Sequence, residues 1–174
     1  MKIISYIIAI FISHQVYAET APTEFATPGG EFEFLYEAGV KANGGVFCEL
    51  KSEVFDKDDN WGSAILITIH AKDDPNSTQI MYSPEWSKHI FEIRTLDSPQ
   101  TYSYTSRFLS LNNNGNSVSV SLRWRDDGAI FYEASDSNGQ SGSGYIINHT
   151  QKFQRLSVTA SGVKGNLTCA PIKI

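Results

Sequence analysis

Two loop segments carry the residue types from which a binding site could be assembled. Asp56-Lys57-Asp58-Asp59-Asn60-Trp61-Gly62 places side-chain oxygens at alternate positions, a spacing by which an acidic loop can wrap a calcium ion. The calcium pattern of a helix–loop–helix unit wants Gly where Trp61 stands and Glu where Ile67 stands, so the segment reads as a charged β-turn loop, with Ca²⁺ the lesser reading. Tyr82-Ser83-Pro84-Glu85-Trp86 sets two aromatic rings close together, and their flat faces suit stacking on a sugar or packing beneath a neighbouring strand. Trp61, Tyr82 and Trp86 form a candidate platform, with Asp58, Asp59 and Asn60 as polar partners.

Catalytic patterns are sparse. No phosphate-binding or dinucleotide-binding glycine run occurs. Gly139-Gln140-Ser141-Gly142-Ser143 approaches a nucleophile elbow but ends in Ser where Gly is required. His70, His89 and His149 are scattered, and a metal site needs at least three converging ligands, so no metal is expected. Glu31, Glu33 and Glu37 on one strand and Glu49 and Glu53 on another read as solvated faces. A glycosidase would instead need two carboxylates facing each other across a groove. The census leans away from an enzyme and assigns no catalytic residue.

The elements that must position these residues are strands. Glu31 to Glu37 alternates aromatics with glutamates, and Ser117 to Trp124 puts Val, Val, Leu and Trp on one face. Ala64 to His70 is apolar on both faces, as in a strand covered on both sides. Further strands are expected at 46–55, 78–82, 89–95, 101–109, 129–134, 144–148, 153–160 and 164–169. Asp126-Asp127-Gly128 is a hairpin signal, and 112–116 and 135–143 read as polar, Gly-rich loops. About ten or eleven short strands make an all-β fold, an antiparallel two-sheet sandwich of jelly-roll type with no second domain.

Export is expected from residues 1–18, a secretory signal in which Lys2 precedes the apolar run Ile3 to Ile12 and Val16-Tyr17-Ala18 supplies a cleavage site. Residues 19–30 then form a flexible lead and 31–174 the sandwich. No later stretch is long and apolar enough to span a bilayer. In that compartment Cys48 and Cys169, the two cysteines, are expected to form one disulfide. Closing a loop of about 120 residues would add about 4 to 5 kcal/mol in the chain-entropy model. Asn76, Asn148 and Asn166 each head a glycosylation acceptor triplet, meaningful only in a eukaryotic host. The net charge of −5 argues against nucleic acid as partner.

The stretch Ile67 to Glu133, under half the chain, resembles the sandwich domain named after farnesoic acid O-methyltransferase and, more loosely, concanavalin A or laminin-G sandwiches. The resemblance rests on His70-Ala71-Lys72-Asp73-Asp74, Trp86 to Arg94, Phe108-Leu109-Ser110 and Val120 to Ile130. It implies a secreted recognition module rather than a methyl transferase. The sequence therefore points to a non-enzymatic module, secreted or periplasmic, that binds carbohydrate or another extracellular ligand and requires no cofactor. An exported inhibitor or immunity factor docking a basic partner through its acidic surface is the alternative, and a sandwich glycosidase the second. Ligand identity, host and oligomeric state are not encoded in any motif found.

Overall fold

Period-two alternation becomes twelve strands in a computed structural model that describes residues 21–56, 62–72, 77–85, 87–98, 101–112, 115, 117–147 and 152–172. In chain order these are β1 (Thr23–Thr27), β2 (Glu33–Gly39), β3 (Gly44–Val54), β4 (Ala64–Ala71), β5 (Ser77–Pro84) and β6 (Lys88–Ser98). They continue with β7 (Thr101–Asn112), β8 (Val118–Trp124), β9 (Ala129–Asp136), β10 (Ser141–Ile147), β11 (Phe153–Ser161) and β12 (Val163–Ile172). Sheet I has the order β1-β12-β3-β8-β9-β10 and sheet II the order β2-β11-β4-β5-β6-β7. All neighbouring strands in both sheets are antiparallel. The expected two-sheet sandwich is thus the fold, with slightly more strands than the sequence showed.

The core lies between the inner faces of the two sheets. Val46, Leu50, Val120, Leu122 and Ile130 project from sheet I, and Ile65, Ile67, Ile80, Phe91 and Val158 from sheet II, all essentially buried. Cys48 on β3 and Cys169 on β12 are directly opposite in register and joined, with Cα atoms 4.2 Å apart. That separation is typical of the close, non-hydrogen-bonded pair of an antiparallel ladder, which brings two core-facing side chains within bonding reach.

Turn chemistry follows the sequence at Asp126-Asp127-Gly128. Gly128 adopts φ 83°, which a Cβ would strain, and its N–H donates to the Arg125 carbonyl at 3.0 Å. The Asp127 carboxylate accepts from the Ala129 N–H at 3.1 Å, fixing the start of β9. The expected loop 135–143 is shorter than anticipated, because β9 runs to Asp136 and β10 starts at Ser141. Asp136 is the reason: its carboxylate accepts from the N–H groups of Asn138 and Gln140, both at 2.9 Å, closing a tight hairpin.

Two expectations need correction. Residues 19–30 are not a loose lead throughout, since Thr23–Thr27 forms β1 on β12. Two residues of that short strand, Phe25 and Thr27, are buried, which offsets the turn-forming prolines around it. The strand around Glu31 to Glu37 does not bury its aromatic set: Phe34 is 61% exposed and Phe32 also faces outward. The register explains this. Tyr36 pairs with Val158 but Phe34 pairs with Thr159, so Leu35 is an extra residue in a β-bulge. An inserted residue reverses the facing of everything before it. Leu35 and Tyr36 pack on the core, and the phenylalanines turn out.

On β4 the outward positions are sheltered only in part, since Leu66 and His70 are half-buried. Thr68 is buried and accepts a hydrogen bond from Gln79 Nε2 at 3.0 Å, while His70 Nε2 lies 2.8 Å from Ser157 Oγ. Side chains from β5 and β11 thus lie across this face of sheet II. Among the described residues no helix is long and apolar enough to cross a membrane.

Candidate functional site

Of the residues singled out in the sequence, Asp58, Asp59, Asn60, Trp61, Trp86, Asn76 and Asn148 lie outside the described residues, as does the leader 1–18. Described neighbours of these positions converge: Gly62 and Ser63 line one groove with Pro84, Glu85 and Ser87. Asn166 is exposed on the outer side of β12, opposite Lys51. Among the described residues no group of three or more His, Cys, Asp or Glu side chains could hold a metal.

Tyr82 corrects the sequence reading. It is not a surface platform but a core residue with 0% exposure, stacked on Phe91 with ring centroids 4.9 Å apart. Position explains this: β5 lies between β4 and β6, and Tyr82 falls in phase with Ile80 on the inner face. Its hydroxyl is satisfied by a buried chain of groups. Ser52 Oγ donates to it at 3.2 Å from sheet I, and His89 Nδ1 lies 2.7 Å away. The phenol donates to that nitrogen when His89 carries its proton on Nε2. Burial pushes the Tyr82 hydroxyl up to about 12, and the Ser52 hydrogen bond opposes this only in part.

A different aromatic surface is present on the outer face of sheet I. The register aligns Ile172, Gly45, Arg123, Phe131 and Tyr145 in one row across β12, β3, β8, β9 and β10. The adjoining row is Ala170, Phe47, Ser121, Glu133 and Ser143. Phe131 and Tyr145 have ring centroids 6.2 Å apart, tilted by 31°. With Phe47 they are 41%, 65% and 38% exposed, large apolar areas facing solvent. Two neighbouring grooves, about 290 and 570 Å³, hollow this face, and Arg123 lines both.

Gly45 sets the position of Arg123. A Cβ there would lie 3.0 Å from Arg123 Cγ and 3.2 Å from Ile172 Cβ, so the missing side chain leaves the space through which the arginine stem passes. Short ion pairs join Arg94 with Glu92 at 2.7 Å, Arg155 with Glu37 at 3.2 Å, Lys164 with Glu53 at 3.0 Å and Arg125 with Asp127 at 2.9 Å. Arg123, Glu49 and Glu133 take part in no ion pair or side-chain hydrogen bond among the described residues. Another groove, about 630 Å³ between β1, β12 and β3, has Lys164 and Glu53 tied to each other, and Lys164 Nζ sits 5.7 Å from the Phe55 ring centroid.

Sequence reasoning passed over Phe47, Phe131 and Tyr145. The signal was available in phase: each stands between two inward-facing residues, Phe131 between Ile130 and Tyr132. A large aromatic at an outward position of a central strand is an exposed apolar surface to be explained.

No protein-family model matches the chain, and no curated protein matches it in sequence. Its architecture is shared with solved structures. A legume lectin-like domain from Entamoeba histolytica superposes with a TM-score of 0.59 at 7% identity, over 91% of this chain and 88% of that one. Winged bean acidic lectin, in complex with methyl-α-D-galactose, gives 0.52 at 8% identity over 77% and 76%. Scytalido-glutamic peptidase with a peptide-based transition state analogue gives 0.54 at 9% identity over 82% and 66%. The fold is therefore a lectin-like β-sandwich, one that also carries enzymes.

Proposed function

We propose that this chain is a secreted carbohydrate-recognition module whose ligand lies on the outer face of sheet I. One observation carries the reading: exposed aromatic rings stand beside a guanidinium and two carboxylates that have no ion-pair or side-chain hydrogen-bond partner among the described residues. Sugars present apolar C–H faces to aromatic rings and hydroxyls to charged hydrogen-bonding groups, so this combination matches their two surfaces. Unpaired polar side chains on rigid strands also need little reorganisation to bind. The lectin-like fold and the resemblance of Ile67 to Glu133 to the farnesoic acid O-methyltransferase-type domain support it. Export rests on the leader 1–18 and is compatible with the disulfide.

The test is a glycan-array screen of the oxidised protein from residue 19 onward, with and without Ca²⁺. Wild type is compared with a Phe131→Ala/Tyr145→Ala variant and a Trp61→Ala/Trp86→Ala variant. Binding lost in the first variant and kept in the second supports the reading. Binding lost only in the second moves the site to the loop end, and a blank array favours a protein partner.

A further inference from the structure

The separation of the aromatic rings on sheet I bears on the size of the ligand. Phe47 is on β3 and Phe131 on β9, with β8 between and a two-residue offset along the strands, so the two platforms stand about 12 Å apart at their Cα atoms. Tyr145, on β10, extends the second platform by another strand. Arg123 projects from β8 between them, and the row from Ile172 to Tyr145 crosses four strand spacings, about 19 Å. One pyranose ring cannot touch both Phe47 and the Phe131/Tyr145 pair.

Charge bears on its chemistry. Among the described residues Arg123 is the only cation lining the two grooves, while Glu49 lines one groove and Glu133 the other, neither in an ion pair. The chain as a whole carries a net charge of −5. A carboxylated or sulfated sugar would face two unpaired carboxylates for one guanidinium, whereas hydroxyls can donate to the carboxylates and accept from Arg123.

Resting on the carbohydrate reading above, we propose that the ligand is a neutral oligosaccharide of three or more units lying across the strands of sheet I. Its end units stack on Phe47 and on the Phe131/Tyr145 pair, and its middle unit hydrogen-bonds to Arg123. Affinity then depends on chain length, because the second platform engages only when the ligand can reach it, as a tethered second contact.

The experiment is calorimetric titration of the oxidised protein with neutral series of one to six units: β-1,3-glucose, β-1,4-glucose, β-1,4-mannose, β-1,4-xylose and N-acetylglucosamine. An oligogalacturonate series serves as the anionic counterpart. The expected result is a neutral series whose affinity rises at least tenfold from one unit to three or four and then levels off, with oligogalacturonate weaker at every length. Phe47→Ala and Tyr145→Ala should each abolish most of that rise. A monosaccharide bound as tightly as the hexamer, with binding still lost in Phe131→Ala/Tyr145→Ala, would overturn this inference and leave the carbohydrate reading standing. Preference for oligogalacturonate would do the same. Absence of binding in all series, with thermal unfolding confirming a folded protein, would overturn both.

Discussion

Phe131 and Tyr145 stand directly opposite each other on β9 and β10, on the side of sheet I turned away from the core. A cross-strand aromatic pair stabilises a sheet modestly, by roughly 0.2 to 1 kcal/mol. The proposed recognition surface rests on this exposed area beside polar groups that are unpaired among the described residues.

Replacing both rings should therefore separate binding from stability. Phe131→Ala/Tyr145→Ala is expected to weaken glycan binding by at least about tenfold, equivalent to about 1.4 kcal/mol. Urea unfolding should shift by no more than about 1 kcal/mol, because outward positions of this kind contribute little to the core.

Gly45→Ala tests how Arg123 is held. The added methyl would press on Arg123 Cγ, on Ile172 and, at 3.1 Å, on the Leu122 carbonyl. Glycan affinity should fall several-fold, and stability by about 1 kcal/mol, within the range for overpacking. Binding unchanged from wild type would show that the position of Arg123 is immaterial.

The buried Tyr82 hydroxyl predicts an alkaline limit. Its value is raised from 10.0 to about 12 in the fold, so the unfolded chain loses this proton first as pH rises. The stability it contributes is complete below pH 10 and is lost between pH 10 and 12, up to about 2 to 3 kcal/mol. Urea midpoints measured across that range should fall, and Tyr82→Phe should flatten the dependence. Tyr82→Phe is also expected to destabilise the protein at neutral pH by about 1 to 3 kcal/mol, because Ser52 and His89 lose their shared partner.

Reduction of the Cys48–Cys169 bond, or Cys48→Ser with Cys169→Ser, should lower unfolding stability by about 2 to 5 kcal/mol, since it releases a separation of 121 residues in the unfolded chain. Denaturant midpoints with and without reductant measure this directly.

Much of the sandwich was legible because alternation and turn residues act locally. Ser117 to Trp124 and Asp126-Asp127-Gly128 adopt the forms their side chains dictate, and β8 and β9 pair as a hairpin. Where the reading departed, a distant partner decided. β1 exists because β12 offers it an edge, and the Leu35 bulge that turns Phe34 outward is set by pairing with β11. Tyr82 looked like a loop-end aromatic because the residues after it are Ser-Pro; its burial depends on β4 and β6 flanking it in sheet II. The sheet I platform is assembled from β3, β8, β9 and β10, which no linear spacing brings together.

The most direct test of a binding face on sheet I is amide chemical-shift mapping of the isotopically labelled, oxidised protein on titration with the tightest-binding glycan. The account predicts that the largest shifts fall at 45–47, 121–123, 131–133 and 143–145. Shifts confined to 57–62 and 85–87 would contradict it and place the ligand at the loop end.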